Sequence, residues 1–185
     1  MNSWPGYLFR FLAGLMSEQK VHAQAPGVKV HVLTKELGSG YDREAEEATE
    51  RDIIVNFMRS QLGKPYRLGA EVQPGKEYEA EAWDCSEETE AAYRLTTHSL
   101  PDGAQAQYDF CRPVKIPRHG DLGFIWSDKR GIIGHVMVYT SSGTVVHAVG
   151  GRGVVEDLVS MWENHPRWRG WRRHPDFMRP AEERV

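Results

Sequence analysis

Three residues of this sequence carry side chains that together could perform nucleophilic catalysis: Cys85, His135 and His147. A cysteine thiolate is a strong nucleophile, and a neighbouring imidazole can take up the proton of the thiol. A further polar group that holds this imidazole in one tautomer completes such a set. Residue types alone do not require this interpretation, because a histidine in a strand is more often a hydrogen-bonded structural residue than a base.

The stretch around Cys85 predicts the beginning of a helix. Asp84 is a favourable N-cap, and Glu87 stands three residues later, at the spacing of a capping box. The residues that follow, to about position 97, favour helix. A thiol in the first turn of a helix lies near free N–H groups and the positive end of the helix dipole, which both favour the thiolate.

The two histidines fall on neighbouring predicted strands, which are joined by the turn Ser141-Ser142-Gly143. When the strands are paired around this turn, His135 and His147 become diagonal neighbours on one hairpin, within reach of each other. Because both are flanked by apolar residues, we expect both side chains to project into one region.

The remaining elements must position the thiol and the imidazoles. A long helix is predicted over 42–62, with Gly63 as its C-cap. Residues 104–119 show no regular pattern and are predicted to be irregular. Alternating segments with glycine turns predict an antiparallel sheet with strands over 28–33, 121–126, 132–139, 144–149, 154–158 and 168–177. Helices followed by a sheet are typical of α+β folds.

Five segments resemble, in the same order, the motifs of the NlpC-type papain-like cysteine peptidases, which cut the peptide stems of bacterial cell walls. They are Gly63-Lys64-Pro65-Tyr66-Arg67-Leu68-Gly69, Trp83-Asp84-Cys85-Ser86, Pro117-Arg118-His119-Gly120-Asp121-Leu122-Gly123-Phe124, Gly134-His135-Val136-Met137-Val138-Tyr139 and Val145-Val146-His147-Ala148. The resemblance covers about residues 45–177. It implies an α+β, papain-like domain over 41–179, with helices packed on an antiparallel sheet, an N-terminal extension over 1–40 and a tail over 180–185.

The resemblance also implies roles for single residues. Cys85 would be the nucleophile, His135 the general base and His147 the group that orients His135. The backbone N–H of Cys85 would contribute to an oxyanion hole, flanked by Asp84 and Ser86. The hydroxyl of Tyr66 would contact the substrate or the oxyanion, or else its ring packs under the helix. Neither a metal nor a cofactor is implied.

Three features depart from the family pattern. Glu87 stands where the family usually has glycine, and together with Glu88 and Glu90 it makes the helix acidic. Negative charge near the thiol would raise its pKa, against the effect of the dipole. The loop over 70–82 is long, which predicts a lid or a specificity insert, and His119 stands where the family usually has a small residue.

On this basis we expect a cysteine peptidase or amidase that hydrolyses amide bonds in peptidoglycan stem peptides. Two alternatives stay open: a catalytically silent binding or assembly module, for example in a phage tail, and an acyltransferase or lipid-amide hydrolase of the same fold. Ligation of zinc by Cys85, His135 and His147 is disfavoured, because structural zinc ligands usually occur in closely spaced pairs.

Composition bears on the partners. The formal net charge of −3 does not favour binding to nucleic acid. Two cysteines do not make a disulfide framework.

The tryptophans and arginines of 162–173 could stack on sugars or bind an anionic polymer. The alternative, which we favour, is a last strand whose aromatic residues cover the core and whose arginines pair with the acidic first half.

The N-terminal run over 7–16 is apolar but too short to cross a bilayer, so no transmembrane segment is predicted. The absence of a preceding Lys or Arg, the interruption by Arg10 and Pro26 after a cut at Ala25 argue against a signal peptide. We expect a short amphipathic helix that packs on the domain or on a protein partner. The protein would act at the cell wall and reach it on a virion, by lysis or by dedicated secretion, and a phage-like origin is favoured.

Overall fold

The computed structural model describes residues 41–178, in which helices pack on an antiparallel sheet, as predicted. The helices are α1 (Tyr41–Ser60), α2 (Cys85–Arg94), α3 (Ala104–Phe110) and α4 (Val159–Glu163). The strands are β1 (Arg112–Val114), β2 (Leu122–Ser127), β3 (Ile132–Tyr139), β4 (Thr144–Val149), β5 (Gly153–Leu158) and β6 (Trp168–Arg173). The extension over 1–40, the strand predicted over 28–33 and the tail over 180–185 lie outside the described residues.

The sheet has the order β1-β6-β2-β3-β4-β5. From β2 to β5 it is the antiparallel meander that the glycine turns predict. The hairpin of β3 and β4 pairs Val138 with Val146 and Tyr139 with Val145. This pairing ends before it reaches His135 and His147.

The sheet carries apolar side chains on both faces. One face forms the main core with the helices, and it includes the fully buried Phe57, Tyr93 and Val136. A smaller cluster on the other face contains Met137 and Trp171. Because successive strand residues point to opposite faces, His135 lies on the same side of β3 as Met137.

Two predictions about secondary structure are wrong. Residues 104–119, predicted to be irregular, contain α3 and β1. Gln107 of α3 is fully buried, donates to the carbonyl of Ser86 and accepts from the hydroxyl of Thr89. Strand β1 exists because it pairs with β6, for example Val114 with Trp171. Both elements depend on partners distant in sequence, which a local pattern does not show.

The C-terminal region also differs in part from the prediction. Strand β6 ends at Arg173 and is followed by a 3₁₀-helix over Pro175–Phe177, and Trp162 belongs to α4 rather than to the last strand. The arginines of this region are predicted to pair with the acidic first half of the chain. Two of them pair elsewhere: Arg173 forms an ion pair with Asp121, and Arg167 forms one with Asp128.

Within the range 41–178, no helix has the length and the apolar character that spanning a membrane would require.

Gly153 connects the start of β5 to the segment that carries Tyr66. Its φ is +76°, and a Cβ atom at this position would overlap the carbonyl oxygen of Lys64. The neighbouring Val154 N–H donates to this same oxygen across 2.8 Å, and Gly63 N–H donates to the carbonyl of Val154 across 2.9 Å. The close approach therefore requires glycine.

Replacing Gly153 with alanine should lower the free energy of unfolding by about 2–3 kcal/mol, because the positive φ and the overlap must both be relieved. Urea unfolding followed by circular dichroism measures this loss. Gly131 is the matched control, since its φ is +66° and no atom lies within 4 Å of the added Cβ. Gly131→Ala should cost about 1 kcal/mol, and equal losses for the two variants would contradict the role of the overlap.

Candidate active site

The carboxylate of Asp84 organises the start of α2. Its Oδ1 accepts from the backbone N–H of Ser86 at 3.1 Å and of Glu87 at 2.9 Å, which confirms Asp84 as the N-cap. Its Oδ2 accepts from Gly69 N–H at 2.9 Å and thereby ties the preceding turn to the helix. Cys85 is consequently held as the first residue of α2.

The predicted capping box is wrong. The Glu87 side chain does not reach back to the N-cap; its Oε1 accepts from the backbone N–H of Val72 at 3.0 Å and faces Arg94 at 3.4 Å. Arg94 also donates to the carbonyl of Val72 at 3.0 Å. Glu87 and Arg94 together fasten the long loop over 70–82 to α2, so Glu87 serves the loop rather than the helix end.

Tyr66 lies beside the start of α2. The neighbouring backbone pairs with Trp83, whose N–H donates to Pro65 and whose carbonyl accepts from Arg67. The Tyr66 ring is partly buried and packs against the main core. Burial raises the pKa of its hydroxyl, and the charges of Cys85 and Asp84 act in the same direction. The ring therefore packs on the core while its hydroxyl is in electrostatic reach of the thiol.

The predicted proximity of the two histidines is confirmed. His135 Nε2 and His147 Nδ1 are 2.7 Å apart, a hydrogen-bond distance. His147 is fully buried and His135 is partly buried. Because His135 uses Nε2 for this bond, its Nδ1 is the nitrogen that remains for another partner.

Sequence reasoning missed three residues that lie behind His147. His147 Nε2 is 3.1 Å from Asp157 Oδ2, and Asp157 in turn accepts from Arg152 and from Trp162 Nε1. The Trp162 ring lies against both imidazoles, with centroids 5.7 Å from His135 and 4.8 Å from His147. The alternation along β5, in which Asp157 shares a face with the partner of His147, could have identified the aspartate.

The environment of Cys85 favours the neutral thiol over the thiolate. Its side chain is 6% exposed. Burial raises the thiol pKa to about 12, the N–H of Val136 acts in the opposite direction, and the charge of Asp84 raises the pKa further. The nearby acid that disfavours the thiolate is thus Asp84, not Glu87. Desolvation outweighs the helix N-terminus, because the sulfur has lost its contact with water.

The two imidazoles are neutral for the same reason. Burial lowers the pKa of His135 to about 3 and that of His147 to about 4. Among the described residues, no hydrogen bond joins Cys85 Sγ to a ring nitrogen of His135; the sulfur lies instead beside the N–H of the next residue, Val136. The Cys85 thiol and the His135 imidazole are therefore both neutral near pH 7. Such hydrogen bonds often form only when the substrate is bound.

The buried neutral His147 makes the fold sensitive to acid. Below its ordinary pKa of 6.5 an unfolded histidine binds a proton, whereas folded His147 stays neutral down to about pH 4. The free energy of unfolding should therefore fall by about 3 kcal/mol between pH 6.5 and pH 4 from this residue. Urea unfolding at a series of pH values measures the slope. His147→Gln should flatten it, and an unchanged slope in that variant would contradict the prediction.

A second cluster of histidines contains His98 and the buried His174. His174 is 3% exposed, and with His98 and Asp176 it forms a group whose polar atoms lie within 4.8 Å of one another, as a metal would require. Each ring nitrogen already has a partner, however. His98 faces Glu50 and Asp176, and His174 faces Ser99 and the N–H of Asp176. Hydrogen bonding accounts for this cluster without an ion.

Comparison with known proteins identifies the family. The family model described as the NlpC/P60 family matches residues 63–173. A protein of Corynebacterium glutamicum named probable endopeptidase is 34% identical over 107 residues, which are 57% of this chain and 46% of that protein. Murein DD-endopeptidase MepH of Escherichia coli is 29% identical over 157 residues, 80% of this chain and 54% of that protein. The chain spans about half the length of these curated relatives.

Solved structures share the fold. An NlpC/P60 family protein of Bacillus cereus has a TM-score of 0.56 and 25% identity, covering 67% of this chain and 40% of its own. RipD of Mycobacterium tuberculosis, a non-catalytic NlpC/p60 domain protein adapted to peptidoglycan binding, has a TM-score of 0.54 and 19% identity, covering 68% of this chain and 97% of its own. The second likeness shows the fold alone.

Proposed function

The chain belongs to the NlpC/P60 family, and from this premise we propose that it is a cysteine peptidase that hydrolyses amide bonds in the stem peptides of bacterial peptidoglycan. Two relatives named as endopeptidases, one of them a murein DD-endopeptidase, support this substrate class. The proposed nucleophile is Cys85, the proposed base is His135, and His147 orients that base.

One observation carries the proposal. The thiol at the first position of α2 lies against the backbone N–H of Val136, the residue that follows His135, and His135 is hydrogen-bonded to His147. The proposed nucleophile lies at one helix end, and the proposed base and orienting group lie on one hairpin, which supports the proposal. A buried cysteine without such neighbours would be an ordinary core residue.

The reaction proceeds in two steps. His135 takes the thiol proton while Cys85 Sγ attacks the carbonyl carbon, and the tetrahedral intermediate collapses as the proton passes to the leaving nitrogen. The C–N bond breaks, a thioester forms and the amine leaves. Water, deprotonated by His135, then attacks the thioester, which releases the carboxylate and restores the thiol.

We propose three hydrogen-bond donors for the developing oxyanion. The backbone N–H groups of Cys85 and Ser86 both act to lower the thiol pKa, which favours the anionic form of the sulfur. At a helix N-terminus such donors are oriented in advance and lose little energy to reorganisation. The hydroxyl of Tyr66 is the third donor in this proposal. Asp84 holds Ser86 in place, since the Ser86 hydroxyl donates to it at 3.1 Å.

A second function is favoured by the buried thiol: a peptidoglycan-binding module without turnover. A cysteine that is 6% exposed, with a pKa of about 12, would be retained in such a module as a core residue. Acyl transfer or lipid-amide hydrolysis would use the same thiol, and only the products distinguish these reactions from peptide cleavage. The bacterial cell wall is the proposed place of action. A phage or virion route, and a protein partner of the apolar N-terminus, stay predictions.

The test is incubation of the full chain with purified murein fragments, followed by mass spectrometry of the products. New amine and carboxylate termini within the stem peptide are expected. Binding without cleavage would favour the silent module, and a transferred acyl group would favour the acyltransferase.

A further inference from the structure

The hydrogen bonds of the candidate site continue beyond His147 to Asp157. Asp157 is 9% exposed, and its Oδ2 lies 3.1 Å from His147 Nε2. The other nitrogen of His147, Nδ1, is the atom that faces His135 Nε2. Two imidazoles and a carboxylate therefore form one hydrogen-bonded network across β3, β4 and β5.

Asp157 can only accept hydrogen bonds in this network. Arg152 donates to it with both terminal nitrogens, Nη1 to Oδ1 at 3.0 Å and Nη2 to Oδ2 at 2.6 Å. Trp162 Nε1 donates to Oδ2 at 3.2 Å. The hydrogen bond from Arg152 is the main reason that the pKa of Asp157 is lowered to about 2. The carboxylate is ionised near neutral pH and has no proton to offer.

An acceptor at this position determines where both imidazoles carry their protons. His147 Nε2 must hold a proton in order to donate to Asp157, so Nδ1 of the neutral ring has a lone pair. That lone pair accepts from His135 Nε2, which must then hold the proton of the second ring. The lone pair of His135 is thereby left on Nδ1, where it can receive the proton of a thiol.

We propose that Asp157 is a positioning residue that fixes the tautomer of His147 and, through it, the tautomer of His135. It also stabilises the imidazolium that forms on His135 when the thiol attacks, because its negative charge lies one ring away. Trp162 packs against both imidazole rings. In this proposal it shields the hydrogen bond between His147 and Asp157 from water. The catalytic consequence rests on the proposed function, whereas the tautomers do not.

The experiment compares variants of the full chain by ¹⁵N nuclear magnetic resonance of the imidazole nitrogens and by murein hydrolysis. Asp157→Ala removes the acceptor and leaves Arg152 and Trp162 as unpaired donors. Asp157→Asn keeps one acceptor oxygen and loses the charge. Glu156→Gln is the control, because it disrupts an ion pair with Arg59, 2.7 Å long, from the adjacent position of β5.

In wild type, both rings should show a protonated Nε2 and an unprotonated Nδ1. In Asp157→Ala, His147 Nε2 becomes the acceptor for the remaining donors, so the protons should shift toward Nδ1 on both rings. We expect kcat/KM to fall by about 10³-fold in this variant. In Asp157→Asn we expect a loss of about 10-fold, because the donors of Arg152 and Trp162 hold the remaining oxygen where it still accepts from His147 Nε2. Glu156→Gln should change neither readout.

Unchanged ¹⁵N patterns in folded Asp157→Ala would overturn the inference, whatever the activity. A shift in that variant without murein hydrolysis by wild type would leave the inference standing and would contradict the proposed function. Hydrolysis by wild type together with unchanged ¹⁵N patterns in Asp157→Ala would support the proposed function and overturn the inference.

Discussion

Cys85→Ala should abolish the hydrolysis of murein stem peptides, with a loss in kcat of about 10⁵-fold or more. Without sulfur no thioester can form, and the remaining groups of the site cannot replace the nucleophile. The fold should persist, because alanine is compatible with the first turn of α2 and the N-cap bonds of Asp84 involve backbone groups and Ser86. Product formation from purified fragments, measured by mass spectrometry, tests the effect.

Cys111 provides the matched control. It is also a free buried cysteine, fully inaccessible, and burial raises its thiol pKa to about 12. Cys111→Ala should keep most of the activity, since this thiol has no histidine partner among the described residues. Full activity in Cys85→Ala would refute the peptidase proposal. Loss of activity in both variants would instead indicate a general effect on folding, which thermal unfolding of each variant would reveal.

The parts of the site that depend on local rules could be predicted from the sequence. Asp84 is an N-cap because its side chain can reach N–H groups two and three residues ahead. The hairpin of β3 and β4 follows from alternating apolar residues around a short turn, and its register brings His135 to His147. Both features involve neighbours within about a dozen residues, so a single sequence contains enough information to place them.

Other parts depend on partners that only the folded chain brings together. Strand β6 lies between β1 and β2, although about forty residues separate it from β2, and nothing in its own sequence specifies that position. Glu87 fits a capping box by spacing, yet Val72 N–H and Arg94 offer its carboxylate better partners. In each case a contact distant in sequence, or one across a loop, decided between two locally acceptable arrangements.

The sequence leaves the charge state of the thiol open for a related reason, since the helix dipole and the nearby acids act on its pKa in opposite directions. A helix N-terminus stabilises a thiolate only modestly when the sulfur is exposed, whereas removal of the sulfur from water shifts its pKa by several units. Burial depends on how α2 packs against β3, which spacing in the sequence does not show. A neutral thiol beside a neutral imidazole places the whole task of activation on the base, and His135 is consequently the second residue on which the proposal depends.

His135→Gln should lower kcat/KM by about 10⁴-fold or more, almost as much as removal of the nucleophile. Since the thiol pKa is raised to about 12, very little thiolate exists near pH 7 without a base. The residual hydrolysis should rise about tenfold for each pH unit, because it depends on the fraction of thiolate. Wild type should show no such rise above neutral pH, because His135, with its pKa lowered to about 3, is already an unprotonated base there.

His119→Gln is the control for this variant. His119 is a partly buried histidine whose two ring nitrogens face the carbonyl of Thr140 at 2.9 Å and the carboxylate of Asp52 at 3.3 Å. Its replacement should leave both the rate and the pH profile unchanged. The double variant Cys85→Ala, His135→Gln should be no less active than Cys85→Ala alone, because the base has no function without the thiol. A flat pH profile in His135→Gln with more than a tenth of the wild-type rate would show that another group activates Cys85. In that case Tyr66, whose hydroxyl is in electrostatic reach of the thiol, would be the next residue to replace.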